Sequence, residues 1–121
     1  MGNRFLRIAV VYFLAGIALG IVMAASQDFV MRPVHAHVNL LGWVSLALFG
    51  LFYRSVPAAA ATRLAKTHFW LYNVALPVQM ISLALFLNGS TAVAPLLGLA
   101  SVTLATGVIC FAVNLWRYTQ D

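Results

Sequence analysis

Charge is what this 121-residue chain has least of: 7% of its residues are charged, against 64% hydrophobic. That balance excludes an ordinary soluble globular domain and is typical of a chain whose solvent is lipid. Cysteine is scarce too. The single thiol, Cys110, lies deep in an apolar segment, so an intramolecular disulfide is excluded and the residue reads as a packing element. Long polar stretches are missing: the connections at 26–33, 54–67 and 88–91 leave no room for a soluble domain or a long linker. No apolar segment shows the two-residue alternation of a barrel strand, and an open sheet edge cannot be satisfied in hydrocarbon. There is no internal repeat, and no low-complexity tract beyond the alanines after Pro57.

What is present is four apolar runs: Phe5 to Ala25, Val34 to Tyr53, His68 to Leu87 and Ala92 to Trp116. A bilayer core about 30 Å thick takes roughly 20 apolar residues of helix to cross, and each run meets that length. The expected fold is all-α, a polytopic membrane four-helix bundle forming one domain over 1–121. Pro33 suits the first turn of the second helix, and Asn88-Gly89-Ser90 a tight turn between the third and fourth. Pro77 lies mid-helix, frees the carbonyl of Asn73 and predicts a kink or local opening there. Pro57 marks a loop with room for a short interfacial turn.

A net charge of +5 suggests nucleic acid in a soluble protein, but the distribution here speaks of topology. Arg4, Arg7, Arg54, Arg63, Lys66 and Arg117 fall on one side of a four-helix path and only Arg32 on the other. The positive-inside rule then predicts both termini and the middle loop in the cytoplasm, in a bacterial-type inner membrane. Trp70, Trp116 and Tyr118 stand at helix ends, where amphipathic rings favour the headgroup layer. The basic start, apolar run and Val22-Met23-Ala24 also resemble a signal peptide with its cleavage site. Against that, the run is longer than a signal core, and Gly16 and Gly20 form a small-xxx-small pair suited to helix packing. A retained first helix is therefore expected.

Three histidines lie in or at the ends of these helices, and intramembrane ionisable residues are expensive enough that function is the default reading. His35 and His37 are two positions apart, about 200° around a helix, so their rings leave opposite sides. They cannot both ligate one iron from the same helix, but they can reach two centres or two neighbours. One reading is a haem between chains. A second is a copper or zinc site shared between chains, since imidazole is the common ligand. A third places both rings at the outer interface, bonded to water or to Ser26 and Asp28. His68, near the cytoplasmic end, is about a membrane thickness away and reads as an interfacial residue with a structural role.

The run Arg32-Pro33-Val34-His35-Ala36-His37-Val38-Asn39-Leu40-Leu41-Gly42-Trp43 resembles haem-copper oxidase subunit I. In that family one helix carries a His-x-His pair, with one histidine on each of two haems. The next helix opens on a Lys-x-His-Phe-type sequence, matched here by Lys66-Thr67-His68-Phe69-Trp70. The Arg-Pro-x-His run separately resembles the low-spin haem helix of the cbb3-type oxidases. The resemblance implies one third of the twelve-helix subunit I fold, which a homotrimer would complete. It also implies a haem b ligated by His35 of one chain and His37 of the next, and a role in electron transfer or in redox or gas sensing. Copper alone is the lesser cofactor expectation. The chain has no His-His pair, no His-Pro-Glu-Val-Tyr sequence and no cross-linkable tyrosine. The oxidase copper site is therefore not carried over, and oxygen reduction is not implied.

Around that pair, Arg32 reads either as a lipid-headgroup anchor or as a guanidinium beside haem propionates. Asn39, one turn below His35, could bond a ring, a haem edge or another helix. Gly42 and Gly50 permit close approach of a macrocycle or of a neighbouring helix. A contrasting function needs no cofactor: an assembly partner or channel-like subunit whose Asn39, Asn73, Gln79 and Ser82 hold the helices together.

Overall fold

A computed structural model describes residues 1–119. They are almost wholly helical, with four helices long and apolar enough to cross a membrane. These are α1 (Gly2–Ser26), α2 (Arg32–Ser55), α3 (Arg63–Leu87) and α4 (Thr91–Tyr118, its first turn a 3-10 turn). A single short turn of helix, Pro57–Ala60, lies between α2 and α3. No strand occurs among the described residues.

Each helix runs antiparallel to the one before it. Gly2 lies against Gly50 and Arg54, and Gly16 against Asn39, which sets α1 against α2. Tyr53 meets His68 while Asn88 reaches Met31, which sets α2 against α3. Gln79 donates to Ser101 at 2.9 Å and Gly107 faces Tyr72, which sets α3 against α4. The N-terminus, the Val56–Thr62 connector and the end of α4 therefore share one end of the bundle, the basic end. His35 and His37 sit at the other.

The helices start earlier at the basic end than hydropathy alone predicts. α3 begins at Arg63, five residues before His68, because the Thr62 hydroxyl accepts from the Ala65 amide at 3.0 Å and caps the helix. Fully buried Asn114 secures the connector: its Nδ2 donates to the Ala59 carbonyl at 3.0 Å and its Oδ1 accepts from Thr62 at 3.3 Å. Pro77 does not break α3, which is continuous from Arg63 to Leu87. A wider segment lies in α2, where Val38–Ser45 is a π-helix flanked by α-helix on both sides.

Outward faces are as apolar as the interior: Val11, Leu14, Ile21, Leu99, Val102 and Ile109 are all about two-thirds exposed. Between helices in lipid the hydrophobic effect gives no net drive, so close packing and hydrogen bonds carry association. α1 and α2 obtain that packing from glycine. A Cβ on Gly42 would stand 2.6 Å from the Tyr12 ring and 2.7 Å from its Cβ, which leaves the tyrosine no swing to escape. Gly42→Val is expected to lower stability by about 1–3 kcal/mol through overpacking. Gly98→Ala, with open space around it, should stay level or gain a few tenths. Unfolding titrations of both variants in detergent check this pair.

Candidate functional site

The π segment explains where the two histidines point. Four residues of α-helix overshoot one turn by about 40°, whereas the wider i→i+5 turns of a π-helix undershoot it. Mixing the two holds residues four apart in straight columns along α2. Val34, Val38, Gly42 and Leu46 are buried, and Ala36, Leu40, Val44 and Leu48 are exposed. One half-buried flank carries His35, Asn39 and Trp43 against α1, where they meet Gly20, Gly16 and Phe13. The other flank carries His37, Leu41 and Ser45 toward α3, where the Tyr72 hydroxyl donates to the Leu41 carbonyl at 3.0 Å. Ser45 donates to the Leu40 carbonyl at 2.7 Å, so two carbonyls of the wide turn have side-chain donors. The structure thus keeps the two rings on opposite flanks of one exposed stripe.

His37 is held in one tautomer. Its Nδ1 lies 2.7 Å from the Pro33 carbonyl, which can only accept, so Nδ1 carries the proton. In the neutral ring Nε2 then presents its lone pair. That is how a metal-ligating imidazole is usually prepared, with the second nitrogen tied to a backbone oxygen. His35 is prepared less firmly. The Asn39 amide donates to the His35 carbonyl at 2.9 Å and approaches the His35 Nδ1 at only 3.4 Å. A bond from that amide favours the opposite tautomer, so ligation through Nε2 would move the His35 proton to Nδ1 and give up the longer contact. The His35 ring lies across α1 where glycine leaves room, its Cε1 3.1 Å from where a Gly20 Cβ would be. Among the described residues nothing bonds Nε2 of either ring.

Arg32 is exposed at the same end, its guanidinium 5.2 Å from the centre of the Phe29 ring. Ser26 and Asp28, the other proposed partners of the histidines, are engaged within their own loop: Ser26 accepts from the Asp28 amide and Asp28 from the Val30 amide. Among the described residues no three His, Cys, Asp or Glu side chains converge on one point. A metal at His35 or His37 would draw its other ligands from a second chain or from a cofactor.

His68 is not interfacial. It is completely buried, and its Nδ1 shares a 3.0 Å hydrogen bond with the Tyr53 hydroxyl. Phe5 stacks on it at 5.1 Å, Phe49 meets it edge-on at 4.6 Å and Phe111 lies 5.3 Å away, so all four helices meet around this ring. Among the described residues Nε2 of His68 has no partner. The sequence held a signal for this burial. His68 falls on the stripe Ala65, His68, Phe69, Tyr72, Ala75 and Leu76, whose spacing marks the inward face of a helix. The neighbouring Lys66 and Trp70 masked it by suggesting a membrane surface.

Of the four polar residues expected to join helices, Gln79 does so through Ser101. Asn39 and Asn73 each donate to the carbonyl four residues back in their own helix, and Ser82 is buried. Cys110 is half-buried.

No family model, curated protein or solved structure matches this chain.

Proposed function

We propose that this chain is a membrane haem protein in which haem b is held between protomers by two imidazoles, His37 of one chain and His35 of the next. The observation that carries the reading is the 2.7 Å bond from His37 Nδ1 to the Pro33 carbonyl, which leaves an unbonded Nε2 lone pair beside the exposed stripe of α2. The placement of the rings on opposite flanks supports ligation by different chains. A closed cyclic assembly lets every copy use both, and the resemblance to haem-copper oxidase subunit I makes three the preferred number. Arg32, at the same end, is the partner we assign to the propionates. A low-spin haem supplies one-electron chemistry, with its potential set by the axial ligands and by burial. Electron transfer or redox sensing is the use that two filled axial positions favour.

The spectrum of the purified protein, with metal analysis, tests this. A sharp reduced-state band pair with iron bound in haem is expected. A colourless preparation free of iron would leave a cofactor-free bundle, and copper without haem would move the assignment to a His-x-His copper site. A haem-loaded species that is strictly monomeric by mass would remove the inter-protomer ligand.

The orientation we propose puts the basic end in the cytoplasm, because six of the seven cationic side chains lie there and positive charge is retained on that side. With Cys110 replaced by Ser, Arg63→Cys should be closed to an impermeant thiol reagent added outside the cell. Ser26→Cys should be open to it. Labelling of Arg63→Cys from outside would invert the topology.

A further inference from the structure

An apolar groove of about 130 Å³ opens between α3 and α4. Val74, Ala75 and Val78 line it from α3, and Leu99, Ala100 and Thr103 from α4. Ala75 is the midpoint of α3, so the groove reaches the middle of the span. Its lining is almost wholly apolar, because the Thr103 hydroxyl donates to the Leu99 carbonyl at 2.8 Å. A space of this size and lining takes up hydrocarbon rather than water or a polar solute.

Both walls of the groove lead to a cation at the basic end. Val74 and Arg63 are 11 residues apart (74 to 63), about three turns, and share one face of α3. Leu99 and Arg117 are 18 apart (99 to 117), five turns, and share one face of α4. The Gln79–Ser101 bond lies 16 residues from each arginine (79 to 63, 101 to 117), so the two stand level across the seam. Both are exposed. The one acidic side chain among the described residues, Asp28, is at the opposite end of the bundle, so neither guanidinium has a carboxylate side chain beside it there. Trp70, 65% exposed, lies between them and the groove on the same face of α3, two turns from Arg63 and one from Val74. From Arg63 to Val74 the helix rises about 16 Å, close to half of a bilayer core about 30 Å thick. Cation, indole and aliphatic groove thus follow in the order and at the depths of phosphate, ester and acyl chain in a phospholipid.

We infer that the α3–α4 seam is a binding site for one anionic phospholipid of the leaflet at the basic end. Its phosphate lies between Arg63 and Arg117, its ester groups beside Trp70, and one acyl chain runs along the seam and ends in the groove. Arginine meets phosphate with paired N–H donors as well as with charge. A free phosphate would leave the groove unfilled. A second copy in the same orientation would bring its own cationic end against the two arginines. The site lies at the end of the bundle remote from His35 and His37, so it is independent of the haem assignment.

Native mass spectrometry of the full-length protein in detergent, titrated with dioleoyl phosphatidylglycerol or dioleoyl phosphatidylcholine, tests this. One phosphatidylglycerol per chain should be held roughly 25-fold more tightly than phosphatidylcholine, about 5-fold for each guanidinium. Arg63→Gln with Arg117→Gln should remove that preference. Arg4→Gln with Arg7→Gln takes the same charge from α1, whose Phe5 meets α3 at Phe69, about 140° round from Val74. This control should stay within about 2-fold of wild type. Val74→Phe, which fills the groove from an exposed position, should weaken dioleoyl phosphatidylglycerol by about 3-fold, the scale of a few lost dispersion contacts. The dilauroyl lipid, whose chains stop short of the groove, should bind the same variant as it binds wild type. Equal retention of the two headgroups, an equal loss in the α1 control, or a Val74→Phe effect that ignores chain length would each overturn the site.

Discussion

With haem held between protomers as proposed, His37→Ala is expected to abolish the low-spin spectrum at every site of the assembly, and His35→Ala to do the same, because each would remove one of the two imidazoles from each iron. The two losses should differ in kind. His37 is the better-prepared ligand, with its proton already on Nδ1, and its removal should also end haem retention. His35 has to change tautomer to ligate, so His35→Ala should leave some iron bound through His37, with a spectrum that is no longer bis-imidazole. His68→Ala should keep the native spectrum. The ring sits among Phe5, Phe49 and Phe111 at the opposite end of α2, on the order of 25 Å from His35 by helix rise. Co-expression of the two single mutants adds a test of the assembly, since mixed oligomers can rebuild a His37–His35 pair at some interfaces. A normal bis-imidazole spectrum from His37→Ala alone would end the inter-protomer assignment.

Phe5→Ala should be the most destabilising single truncation in the bundle. The side chain is fully buried and its ring touches Phe49, Tyr53, His68 and Phe69, which come from two other helices. In water such a truncation costs about 3–5 kcal/mol, part of it transfer and part of it cavity. In lipid the unfolded helices already rest in hydrocarbon, so the transfer part shrinks and the packing part remains. A loss near the lower end, about 3 kcal/mol, is therefore expected in denaturant titrations in mixed micelles. Leu14→Ala, on the exposed side of the same helix, should stay within about 0.5 kcal/mol. Equal effects from the two would mean that the aromatic cluster does not join the helices.

The four spans are legible in the sequence because hydropathy reports what a helix of the right length does with lipid, and no tertiary detail enters. Gly16 and Gly20 are legible as a packing pair for the same local reason, and both meet α2. The early start of α3 is not legible by hydropathy. A capping threonine extends the helix beyond its apolar run into a charged first turn, and the energy involved is a hydrogen bond rather than a transfer. Asn114 escapes for a related reason: its partners, Ala59 and Thr62, are more than fifty residues away in sequence. The opposed directions of His35 and His37 follow from their spacing alone. What each ring then touches does not, because the columns of α2 depend on a wide segment that no residue type announces.

Those eight residues at the middle of α2 amount to a phase adjuster. In a uniform α-helix the angle between the histidine tip and the packed lower half is fixed by the count of residues between them. Here the wider turns give back what the α-turns gain, and the tip takes an angle that the lower half did not impose. Restoring plain α-helix over Val38–Ser45 at constant length would turn the tip by about 80°, eight residues at about 100° each in place of about 90°. His37 would come off the flank that faces α3 with every contact of Leu46–Ser55 still in place. The direction in which this chain offers its imidazoles can therefore change without the core that holds the bundle together having to change at all.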